Sequence, residues 1–246
     1  MSNIKKLIAG NWKMNTSRSE GKALAAALAQ HNATASDRFE MIVCPPSIWL
    51  TDIVDAVKGS AVAVGSQDIH EKEKGAFTGN ISAAMLKDAG VKYAIVGHSE
   101  RRQFHNETNA LVKAKAEAAI ASGLIPIICV GEVESERNSN SQEFVVGQQL
   151  TESLPANGPY VVAYEPVWAI GTGKTATPED VRAMHSFIRQ TLAKAVDHAD
   201  QVAILYGGSV KSSNASEILA TVNVDGVLVG GSSLEANEFW AIAQAA

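Results

Sequence analysis

Short apolar runs alternate with longer amphipathic stretches along the whole chain. Eight runs have the length and composition of buried strands, and they cover residues 7–9, 41–44, 61–64, 93–96, 125–130, 160–164, 202–206 and 226–229. Between them lie alanine-rich stretches with apolar positions at helical spacing, among them 19–30, 109–122 and 178–195. Several of these begin after a Ser, Thr or Asp cap. The alternation predicts a parallel sheet covered by helices.

The number of strands decides which parallel fold the pattern favours. About eight strand-helix units in 246 residues is typical of a closed (β/α)8 barrel, an α/β fold. A doubly wound open sheet is the alternative. No linker rich in Pro, Gly or Ser and no shift in composition divides the sequence, so we predict a single domain over residues 1–246.

Composition and charge exclude several classes of protein. The chain is 46% hydrophobic with a net charge of -5, which argues against non-specific binding to nucleic acid or to anionic membranes. The first apolar stretch is too short for a signal peptide or a membrane span, so we expect a cytoplasmic protein. Cys44 and Cys129 lack the CxxC spacing, which predicts neither a disulfide framework nor a zinc site.

In a barrel, the loops that follow the C-terminal ends of the strands open on one face, and active sites form there. The residues that follow the predicted strands include Asn11, Lys13, His98, Glu100, Glu165 and the Gly-Gly-Ser turns 207–209 and 230–232. An acid, an imidazole, an ammonium group and two glycine turns therefore converge on one mouth. This convergence predicts the active site.

The two Gly-Gly-Ser turns favour phosphate binding. They follow the last two strands, where barrels commonly hold a phosphate group. Glycine lets backbone N–H groups approach an anion closely, particularly near the N-terminus of a helix. One such turn alone is more typical of a tight turn, whereas the pair at consecutive strands favours an anion site.

Glu165 ends a buried run and precedes a long loop. A lone Glu is usually a solvated loop acid, but the apolar neighbours 166–168 favour a general base whose pKa is raised by burial. The loop begins with stiff residues and has a flexible tip at 171–173, a composition typical of a lid. The predicted lid comprises Pro166, Val167, Trp168, Ala169, Ile170, Gly171, Thr172, Gly173 and Lys174.

The presence of Glu165 at the same mouth favours a functional role for His98 and Lys13. A lone histidine is more often structural, but a backbone N–H directed at one ring nitrogen of His98 would favour a neutral imidazole that still donates to a carbonyl oxygen. Lys13 is either a surface lysine on the barrel rim or a cation that meets a dianionic ligand. For Glu100 we expect structural pairing with Lys13 or Arg101. No metal-binding motif occurs, so no metal is predicted.

Two nucleotide-binding patterns occur near the predicted lid, one without a required glycine and the other in the wrong structural context. The segment GTGKT at 171–175 resembles the end of a P-loop, but Trp168 stands where the first glycine is required. Residues 171–176 formally fit a dinucleotide fingerprint, yet they do not follow a strand directly. Neither pattern supports a nucleotide site.

Several segments jointly resemble the triosephosphate isomerase family. They run in the family's order between residues 11 and 234 and are GNWKMN, CPPSIWL, GAFTG, VGHSERR, CVGE, AYEPVWAIGTGKTATPE, YGGSV and DGVLVGGSSL. The resemblance implies a dimeric TIM barrel without a cofactor. It also implies interconversion of dihydroxyacetone phosphate and D-glyceraldehyde 3-phosphate, in glycolysis and gluconeogenesis.

The resemblance assigns roles to individual residues. Glu165 would be the base that moves a proton between two carbons, and neutral His98 would polarise the carbonyl group. Lys13 and Asn11 would bind the substrate and stabilise the enediolate oxygen, with Glu100 as a supporting acid. The phosphate would be held by backbone N–H groups of Gly171, Ser209, Gly230 and Gly231.

The polar segment 67–80 is long for a loop without a function. The resemblance implies that it docks into a neighbouring subunit, with Thr78 close to the partner's Lys13, and hence an obligate homodimer. Two residues depart from the family pattern. Asn80 stands where an acid is common, and Ser232 replaces the commoner alanine.

Two other functions are compatible with a phosphate-binding barrel. An aldolase or synthase acting on a phosphosugar would need a Schiff-base lysine late in a strand, and none of the eight apolar runs contains a lysine. An inactive barrel kept for binding is the second alternative. The presence of Lys13, His98 and Glu165 argues against it.

Overall fold

Eight parallel strands close into a barrel in the computed structural model, which describes residues 4–34 and 36–246. The strands are β1 Lys6–Asn11, β2 Phe39–Cys44, β3 Val62–Ser66, β4 Tyr93–Val96, β5 Ile125–Val130, β6 Val161–Tyr164, β7 Ile204–Tyr206 and β8 Gly226–Val229. Each strand pairs with the next, and β8 pairs with β1, so the sheet has no edge. The predicted (β/α)8 barrel is confirmed, and the open sheet is excluded.

Helices follow the strands on the outside of the barrel. In the described part of the chain they are α1 Arg18–His31, α2 Leu50–Val57, α3 Ala83–Asp88, α4 Ser99–His105, α5 Asn109–Ala121, α6 Glu134–Asn138, α7 Gln142–Ser153, α8 Pro178–Ala195, α9 Ser212–Ala220 and α10 Ala236–Gln244. The helix predicted at 178–195 is confirmed, and those predicted at 19–30 and 109–122 differ only at their ends.

A capping box fixes the start of α8. The hydroxyl group of Thr177 accepts a hydrogen bond from the Asp180 N–H at 3.2 Å, and the Asp180 carboxylate accepts one from the Thr177 N–H at 3.0 Å. Pro178 occupies the first helical position, where its missing N–H costs nothing. The predicted lid, 166–174, therefore runs towards a firmly anchored helix.

Both faces of the strands are buried, which explains why they are continuous apolar runs in the sequence. On β1, Leu7 and Ala9 pack with a cluster of strand residues inside the barrel, whereas Ile8 packs with the layer formed by the helices. Both cysteines lie in the inner cluster, are buried and carry free thiols. None of the helices described is both long and apolar enough to cross a membrane.

The polar segment that follows β5 contains a short helix. Within residues 131–141, α6 spans Glu134–Asn138. The Glu136 carboxylate accepts a hydrogen bond from the Val133 N–H at 2.7 Å, and the hydroxyl groups of Ser139 and Ser141 each donate to the Glu136 carbonyl at 3.0 Å. Local capping thus stabilises a helix that has no apolar periodicity to reveal it.

A buried histidine, His185, packs against β6, the strand that Glu165 follows. His185 donates from Nδ1 to the carbonyl of Asn223 at 3.0 Å, and its ring packs near those of Tyr164 and Tyr206. The side chain is fully buried. Burial lowers the pKa of His185 to about 4, because the charged imidazolium would lose its water.

We expect His185 to make the stability of the fold depend on pH. The unfolded chain binds this proton near pH 6.5, whereas the folded chain binds it only near pH 4. As the pH falls from 6.5 to about 4, the free energy of unfolding therefore decreases, by roughly 3 kcal/mol over the whole interval. Above this interval the free energy of unfolding does not depend on this group.

The variant His185→Gln keeps a donor for Asn223 but does not titrate. Urea unfolding at about pH 7 and about pH 5 should show a smaller acid loss in the variant, and equal losses would contradict this.

Candidate active site

A cavity of about 800 Å³ opens at the C-terminal ends of the strands. Among its lining residues are all the predicted catalytic and substrate-binding residues, namely Asn11, Lys13, His98, Glu165, Gly171, Ser209, Gly230 and Gly231. These residues come from distant parts of the sequence and meet only because the barrel closes. The structure therefore brings the predicted site residues together. Thr78 lies outside the cavity, in the exposed part, 72–80, of the segment 67–80.

Glu165 follows β6 and is almost completely buried, with 2% of its surface exposed. Its backbone N–H donates to the carbonyl of Val130 at 2.8 Å, which fixes it to the neighbouring strand. One carboxylate oxygen accepts from His98 Nε2 at 2.8 Å, and the other accepts from the Ser99 N–H at 2.9 Å. The carboxylate therefore reaches across the mouth to the turn between β4 and α4.

The environment of Glu165 corrects one expectation from the sequence. Burial does raise the pKa of this carboxyl group, but His98, the Ser99 N–H and the charge of Lys13 oppose burial and together outweigh it. The pKa of Glu165 consequently lies below its ordinary value. The expectation of a raised pKa is wrong for this arrangement, because the sequence indicated the burial but not the donors.

The hydrogen bonds of His98 define its tautomer. The ring is 5% exposed, and its Nδ1 accepts from the Glu100 N–H at 3.2 Å, so the proton of the neutral ring is on Nε2. This is the arrangement predicted for a neutral imidazole. Burial lowers the pKa of His98, but the carboxylates of Glu165 and Glu100 together outweigh burial, so the pKa lies above its ordinary value. Once the Glu165 carboxylate moves away, the larger of these two opposing charges is lost, which favours the neutral form.

Lys13 adopts a left-handed backbone conformation, with φ of 52°. Such a conformation costs about 1–3 kcal/mol in a residue other than glycine. The Lys13 N–H donates to the Asn11 side chain at 3.0 Å, and its carbonyl accepts from Gln67 Nε2 at 2.8 Å, which offsets that cost. The ammonium group pairs with Glu100 at 2.5 Å, and the side chain passes beside Gly230. Lys13 is therefore directed into the cavity and does not lie flat on the rim.

Two glycines provide the space that Glu165 occupies. A Cβ atom on Gly131 would stand 1.8 Å from the carbonyl oxygen of Glu165, and a Cβ atom on Gly207 would stand 3.0 Å from its Cγ. A side chain at Gly131 would therefore displace the backbone of Glu165. Both glycines follow strands directly, at the ends of β5 and β7.

The predicted phosphate turns line the same cavity as Lys13. Gly230 precedes a 3₁₀ turn at Gly231–Leu234, and the Gly230 carbonyl accepts from both the N–H and the hydroxyl group of Ser233, at 2.9 and 2.6 Å. These bonds hold the turn in place. Ser232, one of the departures from the family pattern, also lines the cavity.

Comparison with known proteins supports what the geometry indicates. The model of the triosephosphate isomerase family matches residues 6–246. The chain belongs to the triosephosphate isomerase family. It is accordingly an isomerase, and its function is the interconversion of dihydroxyacetone phosphate and D-glyceraldehyde 3-phosphate, a step of glycolysis. This family membership decides against the aldolase or synthase alternative.

Individual relatives match over nearly their whole length. Triosephosphate isomerases from Paracidovorax citrulli, Herpetosiphon aurantiacus and Thiobacillus denitrificans are 48%, 51% and 52% identical to the chain. The matches cover 98%, 95% and 98% of this chain and 98%, 96% and 98% of the relatives. A crystal structure of triosephosphate isomerase from Bartonella henselae superposes with a TM-score of 0.91 at 41% identity, over 98% of this chain and 99% of that one.

The segment predicted as the lid of this isomerase is anchored at its base and exposed at its tip. A 3₁₀ turn spans Val167–Ala169, and Trp168 Nε1 donates to Glu132 at 2.9 Å. Tyr164 donates to the same Glu132 oxygen at 3.0 Å. At the tip, Gly171 and Gly173 have φ values of 69° and 80°, which favour glycine. The base of the predicted lid thus rests on a buried carboxylate outside the cavity.

Three residues of the site received no role from the sequence. Glu132 holds Trp168 of the lid, Gln67 holds the Lys13 backbone, and Ser99 donates to Glu165. A hint of Glu132 was present in the sequence, because it is an acid two residues after a strand, much as Glu165 follows β6. Burial raises the pKa of Glu132, although Trp168 and Tyr164 oppose that effect.

The structure also decides the pairing of Glu100. Glu100 contacts Lys13, whereas Arg101 contacts Glu107 at 2.6 Å and Asp68 at 3.0 Å. Among the residues that the structure describes, no group of three or more His, Cys, Asp or Glu side chains could hold a metal ion.

Proposed function

We propose that Glu165, His98 and Lys13 carry out the isomerisation by proton transfer through an enediolate intermediate. The observation that carries this proposal is the 2.8 Å contact between the Glu165 carboxylate and His98 Nε2 at the mouth of the cavity. A carboxylate can accept a proton, and the Nε2–H group can donate a hydrogen bond to an oxygen. A substrate that enters between the two meets both functions at once.

Each group has a defined part in the transfer. Glu165 takes a proton from the carbon beside the carbonyl group of dihydroxyacetone phosphate and returns it to the neighbouring carbon. His98 and the Lys13 ammonium group stabilise the negative charge on the enediolate oxygen, with Asn11 alongside. A hydroxyl proton must move as well: His98 Nε2–H gives its proton to the former carbonyl oxygen and takes one from the oxygen that becomes the aldehyde carbonyl, so the imidazole ends in its starting state. When Glu165 turns to the substrate, it leaves the donors His98 and Ser99. Burial then dominates and moves its pKa towards the operating pH.

The phosphate group would be held by backbone N–H groups at the two glycine turns and at the lid tip. Gly171, Ser209, Gly230 and Gly231 line the cavity and carry these groups. The lid begins directly after Glu165, so its closure is coupled to the position of the base. Closure would expel water and protect the enediolate from losing phosphate. Contacts to the phosphate thereby assist the reaction at distant carbons.

Glu165→Gln should lower kcat for D-glyceraldehyde 3-phosphate by at least about 100-fold, because an amide cannot accept the proton. Isomerisation is measured by coupled reduction of the dihydroxyacetone phosphate formed, with a chelator and no cofactor present apart from that of the coupling enzyme. Glu179→Gln, which changes an exposed carboxylate on α8, is the matched control and should keep the wild-type rate. Comparable rates for both variants would refute the role of Glu165, and inactivity of the wild-type protein would point to a binding protein.

We further propose that the chain forms a homodimer through the segment 67–80. Apolar side chains are exposed in and around it: Met14 is 95% exposed, Phe77 is 40% exposed and Met85 is 59% exposed. Phe77 packs on His70 within the segment, with ring centroids 4.2 Å apart, so the segment has internal order. A second copy that covers these side chains would also bring Thr78 close to the partner's Lys13.

Sedimentation at micromolar concentration should give twice the monomer mass for the wild-type protein. Met14→Glu should shift the protein towards the monomer and lower its activity, because a buried charge without a partner is costly at an interface. Phe144→Glu is the control, since Phe144 is 74% exposed on α7, away from this segment, and should leave the dimer intact. A wild-type monomer at this concentration, or equal behaviour of the two variants, would contradict the proposed interface.

We also propose that residues 1–246 act as one domain, in the cytoplasm and without a cofactor. The pairing of β1 with β8 supports the single domain, because the first and last strands share one sheet. Membership of a glycolytic enzyme family supports the location. The substrate and product are isomers in the same overall oxidation state, so proton transfer alone can connect them.

A further inference from the structure

Arg102 lies on α4, one turn after His98, and its guanidinium group joins four parts of the fold. Its acceptors are the Gly97 carbonyl at 2.8 Å, the Asn109 side chain at 2.6 Å, the Cys129 carbonyl at 3.1 Å and the Ser153 hydroxyl group at 3.3 Å. These acceptors belong to the β4–α4 turn, α5, β5 and α7. The planar, forked guanidinium group is suited to such a set of directions, and a lysine ammonium group could not reproduce it.

Two of the four acceptors adjoin the groups proposed to react. Gly97 immediately precedes His98 and has φ of 66°, so the direction of its carbonyl is set by a left-handed turn. Cys129 precedes Val130, whose carbonyl accepts from the Glu165 N–H at 2.8 Å. One side chain therefore holds the backbone beside the imidazole to the strand beside the carboxylate.

The charge of Arg102 is not neutralised by a carboxylate. All four of its acceptors are neutral, and in the ranges 4–34 and 36–246 no carboxylate oxygen lies within 4.0 Å of its guanidinium group. The adjacent Arg101, by contrast, contacts both Asp68 and Glu107.

Burial lowers the pKa of Arg102, and the Glu165 carboxylate is among the groups that oppose this effect. The geometry places this charge near the site, because Arg102 donates to the carbonyl directly before His98. It also donates to the Cys129 carbonyl, one residue before the Val130 that holds Glu165. A positive charge at that position favours the ionised form of Glu165.

We propose that Arg102 is a positioning residue of the isomerisation, which fixes His98 relative to Glu165 and supplies an unpaired positive charge beside them. It does not line the cavity and has no contact with the substrate. The inference rests on the roles proposed for Glu165 and His98. Its two components, the hydrogen-bond geometry and the charge, can be separated by substitution.

The experiment compares Arg102→Lys, which keeps the charge, with Arg102→Met, which removes it. Arg189→Met is the matched control. Arg189 also donates to two backbone carbonyls, those of Ala199 at 2.5 Å and Val202 at 2.7 Å, but it does so near the start of β7, at the opposite end of the barrel. Unlike Arg102, it also pairs with a carboxylate, that of Asp225 at 2.6 Å, so its removal is the more severe structural loss of the two. The control should lower Tm and leave kcat unchanged. It therefore measures what the loss of a structural arginine does by itself.

For Arg102→Met we expect kcat to fall about 10- to 100-fold with little change in KM, because a small misplacement of reacting groups is costly in rate. The acid limb of the kcat/KM profile should move to higher pH, since the loss of a positive charge favours the protonated form of Glu165. Arg102→Lys should lower kcat and leave the acid limb in place. A kcat for Arg102→Met equal to that of Arg189→Met, or an acid limb that does not move, would overturn the proposal.

Two further measurements separate misfolding of a variant, and failure of the catalytic mechanism, from failure of the proposal on Arg102. If Arg102→Met does not fold, Arg102→Lys decides: a wild-type kcat overturns the proposal, and a kcat about 10-fold lower with an unmoved acid limb supports it. Glu165→Gln is measured in parallel. If it stays active, the proposed catalytic mechanism fails. If it is inactive while the Arg102 variants resemble the control, only the inference on Arg102 fails.

Discussion

A carboxylate withdrawn from water is the constraint on which the mouth of this barrel depends. Glu165 can remain ionised when buried only if donors replace its water, and here they are His98 Nε2 and the Ser99 N–H. Those donors follow β4, whereas Glu165 follows β6, so only the curvature of a closed sheet brings them together. Gly131 leaves the room that this approach requires. The barrel therefore determines the electrostatics of the site as well as its shape.

The donors that keep the buried Glu165 carboxylate ionised also bear on its proposed role as a base. In the structure they hold Glu165 as a charged, hydrogen-bonded group, and under the proposed mechanism the substrate takes their place. The neighbouring acid Glu132 is used differently, because it holds Trp168 at the base of the lid. Under the proposed mechanism, two buried acids after consecutive strands thus have opposite tasks: Glu165 leaves its donors to react, whereas Glu132 restrains the predicted lid.

Much of the fold could be predicted from the sequence, because strands buried on both faces are apolar runs and α8 begins at a recognisable capping box. The position of the site followed from the rule that strand ends share one mouth. The roles of Glu165 and His98 came mainly from resemblance to a family. The lowered pKa of Glu165, the lid contact of Glu132 and the links made by Arg102 could not be predicted. Each depends on partners distant in sequence, and α6 depends on local caps without apolar periodicity.

The most direct test of proton transfer by a carboxylate is to run the isomerisation of D-glyceraldehyde 3-phosphate in D2O and trap the first dihydroxyacetone phosphate formed. A proton carried by Glu165 can exchange with solvent before it is returned. We therefore predict deuterium at the carbon that receives the proton in part of the product. Trapped product entirely free of deuterium would indicate direct hydride migration between the carbons and would contradict the role of Glu165 as the base.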